Sequence, residues 1–138
     1  MNREYVLDAC ALIALLTGED GAQTVRAILN EACVGEMKIR MNKLNLLEVY
    51  YDAYRSYGKK VADETLDKIK KLPIAIVSEI SDAVFAEAGR LKVSYKISLA
   101  DSIALAETFV SGGILVTSDH HEFDVIDQSD NIEFYWIR

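Results

Sequence analysis

The chain has 138 residues, 51% of them hydrophobic and 27% charged, the mixture of a globular domain large enough to bury a core without disulfide or metal staples. Its net charge of -7 tells against binding nucleic acid through bulk attraction to phosphates, unless many of the acids are gathered where cations cancel them. No apolar run reaches the roughly 20 residues of a membrane span, and two cysteines, Cys10 and Cys33, are too few for a disulfide framework.

Residues 4–7 read as a short strand that runs directly into Asp8. Residues 9–16 are apolar enough to begin a helix at once, and the break Thr17-Gly18-Glu19-Asp20-Gly21 offers Asp20 as the cap of the next one. Val25, Ile28, Leu29 and Ala32 hold helical spacing up to Gly35. Residues 38–41 are a second strand, residues 42–57 a tyrosine-rich helix ended by Gly58, and residues 59–72 a charged helix with Val61, Leu66 and Ile69 turned inward. Pro73 breaks the chain before Ile74-Ala75-Ile76-Val77, a continuous apolar run of the kind buried in parallel sheets. Ser81 caps a helix to about Lys92, and Ser98 opens another that ends at Gly112-Gly113. Residues 114–117 and 134–137 supply the last two strands. Strands alternate with helices throughout, which predicts one α/β domain over residues 1–138 with a mainly parallel sheet. The stretch from Met1 to Tyr5 has no secretory pattern, so Cys10 and Cys33 are expected as reduced thiols in the core of a cytoplasmic protein.

Four acids sit where a purely structural role is strained. Asp8 follows the first strand, and Asp119 follows the strand ending at Thr117; ligands of open α/β sheets bind beyond such carboxyl ends. Glu48 lies within Leu46-Leu47-Glu48-Val49-Tyr50, and Asp101 within Leu99-Ala100-Asp101-Ser102-Ile103. Carboxylates in apolar surroundings are normally paired, hydrogen-bonded or metal-bound. Capping is the competing account: Asp8 and Asp119 are good N-caps, and Ser98 with Asp101, or Asn45 with Glu48, has capping-box spacing. It explains any one acid better than it explains all four. Converging carboxylates repel one another and raise their own pKa values, and a hard divalent cation such as Mg²⁺ or Mn²⁺ removes that repulsion. Such a cation can activate water and polarise a phosphoryl group without a protein nucleophile.

Asp119-His120-His121 superficially suggests another phosphoesterase family, but adjacent side chains diverge on a helix or strand. At least one histidine is expected in solvent and neither as a metal ligand. The lysines and arginines from Arg55 to Lys71, and Arg90, Lys92 and Lys96, read as solvated faces.

At its acids the chain resembles the PIN-domain family, and within it the VapC-like toxins of toxin–antitoxin pairs. Val6-Leu7-Asp8-Ala9-Cys10-Ala11-Leu12, Asn45-Leu46-Leu47-Glu48-Val49-Tyr50, Leu99-Ala100-Asp101-Ser102-Ile103-Ala104 and Val116-Thr117-Ser118-Asp119 with Phe123 look like its four motifs in order. The resemblance implies a three-layer α/β/α domain with a five-stranded sheet ordered 3-2-1-4-5, which sets the first and fourth strands side by side. It implies a metal-dependent endoribonuclease with Asp8, Glu48, Asp101 and Asp119 as its catalytic and metal-holding set, a cognate antitoxin and often a homodimer. Thr117 and Ser118 match a position where the family often has a hydroxyl near the metal, and Asp124 is an auxiliary candidate better explained as a surface residue. Cys10 departs from the Ser or Thr of many members. A non-catalytic PIN-fold binding or assembly protein is the alternative.

Overall fold

The computed structural model describes residues 3–138. In chain order the elements are β1 (Glu4–Leu7), α1 (Ala9–Thr17), α2 (Ala22–Cys33), β2 (Lys38–Asn42), α3 (Lys43–Tyr57), α4 (Lys59–Lys70), β3 (Ala75–Val77), α5 (Asp82–Ser94), α6 (Leu99–Ser111), β4 (Ile114–Thr117), α7 (His120–Ser129) and β5 (Glu133–Trp136). The strands form one sheet ordered β3-β2-β1-β4-β5, parallel at every pairing. This is the expected order, and it puts Leu7 of β1 beside Val116 of β4.

Because side chains alternate across a strand, β1 feeds two cores. Tyr5 and Leu7 pack with α1 and α2 against Val25, Ile28 and Leu29, together with Ile39 and Met41 of β2 and Ile69 of α4. Val6 faces the other way, into Leu91, Ile103, Leu105, Leu115, Phe123 and Ile126. The result is the three-layer α/β/α arrangement that buries both faces of a parallel sheet.

Several local expectations change. Asp20 does not cap α2: the N-cap is Gly21, at φ 97° and without a side-chain bond. A Cβ on Gly21 would fall 2.8 Å from Ile137, so close approach of the last residues requires glycine there. In α4, Val61 is exposed and Ala62 takes the buried place. The run at 74–77 yields only the three-residue β3, with Ala75 exposed and Ile76 and Val77 half-buried; it is an edge strand with one neighbour, where apolar continuity does not guarantee burial. The final strand begins one residue earlier than expected, and Ile137 lies beyond it, buried among the first core. Cys10 and Cys33 are both exposed rather than in the core. Helix α7 is foreshadowed only by Asp119 as a candidate N-cap, with no extent assigned to it. Its signal is Asp119 as N-cap, Glu122 three residues on, and Phe123 and Ile126 buried at helical spacing, inside a segment otherwise too polar to look periodic.

Candidate active site

The carboxyl ends of β1 and β4 sit next to each other, and each strand continues straight into an N-cap. Asp8, 2% exposed, caps α1: its Oδ1 accepts from the Ala11 amide at 2.9 Å. Its Oδ2 accepts from the buried Thr117 hydroxyl. The same Thr117 oxygen accepts from the Asp119 amide at 3.1 Å. Asp119 in turn caps α7, accepting from the Glu122 amide at 3.1 Å. The capping account is therefore correct for these two residues, and it coexists with their convergence: each carboxylate oxygen has a second lone pair to offer.

The other two acids arrive on helices. Ser98 caps α6 by accepting from the Asp101 amide at 3.1 Å; among the described residues, the reciprocal bond of a capping box from the Ser98 amide to Asp101 is absent. Glu48 lies in the interior of α3, whose cap is Asn42, accepting from the Leu44 amide at 2.9 Å. Asn45 and Glu48 thus form no capping box, and that reading of Glu48 is withdrawn.

The acids act on one another electrostatically. Burial, opposed by the bonds from Thr117 and Ala11 and reinforced by Asp101 and Asp119, raises Asp8 to about 7. Burial raises Asp101 to about 6, with Asp119, Glu48 and Glu122 adding to it against the Ser98 hydroxyl. Burial and then Asp119 raise Glu48. Cys10 keeps solvent-accessible surface, yet the protein around its thiol, followed by Asp8, Asp119, Asp101 and Glu48, pushes it up to about 12. It therefore stays a neutral thiol at the rim.

Thr117 stands inside the cluster. Ser118 is half-buried, and its carbonyl accepts from the His120 amide at 3.0 Å. Asp124 is exposed and lies 2.8 Å from His120 Nδ1, bound to the surface and outside the acidic set. His120 and His121 are both exposed. Sequence reading missed Glu122, a half-buried acid in the first turn of α7 that adds to the field at Asp101; its three-residue spacing from Asp119 was the available signal.

Among the described residues, no three His, Cys, Asp or Glu side chains stand close enough to enclose an ion by themselves. The acids face one another at electrostatic rather than coordinating range. Such a set of hard oxygens, with Asp8 and Asp119 held by their own hydrogen bonds, suits a small hard cation that retains several waters. It does not fit a closed cage.

A family model described as "PIN domain" matches residues 5–128. Among curated proteins no match is found. Solved structures share the fold: a toxin–antitoxin complex from Klebsiella pneumoniae (18% identity, TM-score 0.69, 98% of each chain) and a DNA-bound VapBC from Salmonella typhimurium (14%, 0.73, 99% of each). A third is a sarcin–ricin-loop-cleaving VapC toxin from Mycobacterium tuberculosis (12%, 0.68, 88% of this chain and 95% of that one).

Proposed function

The chain belongs to the PIN-domain family, and on that premise we propose that it is a divalent-metal-dependent endoribonuclease, the toxin of a toxin–antitoxin pair. The observation that carries this reading is that Asp8 and Asp119, at the carboxyl ends of the paired strands β1 and β4 and joined through Thr117, act with Glu48 of α3 and Asp101 of α6 so that Asp8, Glu48 and Asp101 are all raised. A non-catalytic assembly protein would gain nothing from holding these carboxylates against each other at a cost in stability.

The four acids would hold Mg²⁺ or Mn²⁺, with Thr117 fixing the Asp8 carboxylate and the Asp119 amide in one frame. When bound, the cation supplies charge to the phosphoryl oxygens and acidifies water. The chain's own part is positional. Its carboxylates would accept the proton of the attacking water as that oxygen bonds to phosphorus, while the bond to the leaving ribose oxygen breaks and that oxygen takes up a proton from solvent. Ser118 and Asp124 have no part in this scheme.

The partner reading rests on α3. Leu47, Tyr51, Tyr54 and Tyr57 are exposed along it, while Tyr50 is held inward by a 2.7 Å bond from its hydroxyl to Asp63. A depression of about 450 Å³ lined by Leu44, Leu47, Tyr51 and Leu99 on this apolar face reaches Glu48. An antitoxin lying there would bring an Arg or Lys to the carboxylates and replace the cation's charge. Homodimerisation, a single domain over the whole chain and cytoplasmic residence complete the proposal. Among the described residues, no helix is long and apolar enough to cross a membrane.

The test is RNA cleavage by purified Asp8→Asn and Asp101→Asn with Mg²⁺ or Mn²⁺. Both variants are expected to lose roughly 100-fold or more of the activity while keeping the fold. Full activity in both would overturn the assignment.

A further inference from the structure

Helix α3 is tied to α6 by two buried side-chain amides. Asn42 Nδ2 donates to Glu107 Oε1 at 3.1 Å. Asn45 Nδ2 donates to the Ala100 carbonyl at 2.9 Å. Both asparagines are buried, as is Glu107. The amide orientations are unambiguous, because a carbonyl can only accept and Asn42 Oδ1 is already taken by the Leu44 amide.

The register is informative. Asn42 ends β2 and caps α3, and Asn45 lies one turn on, inside the helix; Glu107 and Ala100 are two turns apart on α6. The earlier asparagine meets the later residue of α6, so α3 sets out antiparallel to α6 along this seam. One more turn along α3 brings Glu48, opposite the start of α6 where Asp101 follows Ala100 directly. Glu48 lines the same depression as Ser98, Leu99 and Ala100 at the start of α6. A slip of α3 along α6 would change the spacing of these two acids before any others. Asn45 carries a further mark: among the described residues its Oδ1 is buried without a hydrogen-bond partner. An apolar side chain of the same shape would avoid that penalty, so stability by itself does not favour an asparagine here.

We propose that Asn42 and Asn45 are positioning residues that set the register of α3 on α6 and thereby the separation of Glu48 and Asp101. Arg40 supports the same seam from β2, its Nη1 lying 3.3 Å from Glu107 and its Nε 2.7 Å from Glu4. Neither asparagine needs to touch the cation or RNA. Metal sites depend on such supports because ligand geometry tolerates only small displacements. The inference rests on the reading of the acids as metal ligands.

Asn45→Leu keeps the branched outline with bulkier methyl groups, removes the orphaned oxygen and deletes the tie to Ala100. Asn42→Ser keeps an N-cap oxygen and deletes the tie to Glu107. Mn²⁺ affinity is measured by titration calorimetry for wild type and both variants, and melting temperature in EDTA for each. The expected result is an Asn45→Leu protein that still melts cooperatively in EDTA yet binds Mn²⁺ about tenfold or more weakly, with Asn42→Ser weakened in the same direction. Wild-type Mn²⁺ affinity in either folded variant would overturn the inference while leaving the metal reading intact. Absence of saturable Mn²⁺ binding by wild type would remove the metal reading, and the inference with it.

Discussion

At the residue scale, the pivot of the acidic cluster is a hydroxyl. Thr117, fully buried, donates to Asp8 and accepts from the Asp119 amide, joining two acids that lie far apart in sequence. Thr117→Val preserves shape and strand propensity but leaves the buried Asp8 oxygen and the Asp119 amide without this partner. The expected cost is about 1–3 kcal/mol in urea unfolding. Since the Thr117 bond is one of the two that lower Asp8, its loss should drive the Asp8 pKa further up, which carboxylate-resolved NMR would show. Unchanged stability and an unchanged Asp8 titration would mean the hydroxyl is incidental. At Asp8 and Asp119 capping does not preclude ligation: each caps a helix through one oxygen and keeps further lone pairs free for other partners.

At the element scale, α3 divides its labour by face. Leu46 and Val49 are buried and Asn45 faces α6, while Leu47, Tyr51 and Tyr54 follow one another at helical spacing on the solvent side. Tyr54 and Tyr57 serve no core. Tyr54→Ala with Tyr57→Ala should leave melting nearly unchanged but weaken a cognate antitoxin by at least about 2 kcal/mol, roughly thirtyfold in Kd, if this face is the docking surface. Wild-type affinity in the double variant would move the partner elsewhere. The tyrosine cluster was visible in sequence; its division into one anchored and three exposed rings was not, because the Tyr50–Asp63 bond spans two helices.

At the scale of the whole molecule, the acids convert pH into stability. Asp8 and Asp101 have folded pKa values raised to about 7 and about 6 from the ordinary 3.8. A raised folded value means that the folded protein holds its protons more tightly than the unfolded chain. The associated stability is fully present below about pH 4 and is lost as pH rises through about 6 and then about 7. In EDTA, Asp101→Asn should therefore gain melting temperature relative to wild type as pH climbs through that window. Saturating Mn²⁺, which requires the deprotonated acids, should raise the wild type more than the variant. Four melting curves at pH 7.5, for each protein with EDTA and with Mn²⁺, decide it. Equal metal-induced shifts would show that Asp101 is not at the metal.

The sequence by itself determined the alternation of strands and helices, most of the caps and the acids at strand ends, because each is written in spacing over a few residues. It marked the start of α7 through the Asp119 cap but not its extent, because the two buried side chains are scattered among polar ones. It misjudged the burial of β3, Val61 and both cysteines, because burial depends on which strand ends at an edge and which helix face meets another layer. Tertiary structure alone decided that Glu48 lies within the field of Asp101, that Glu122 joins them, and that Asn45 holds the seam between. Desolvation, Coulomb repulsion and buried hydrogen bonds act over distances in space, and the chain sets those distances only when the sheet closes β1 against β4 and lays α3 along α6.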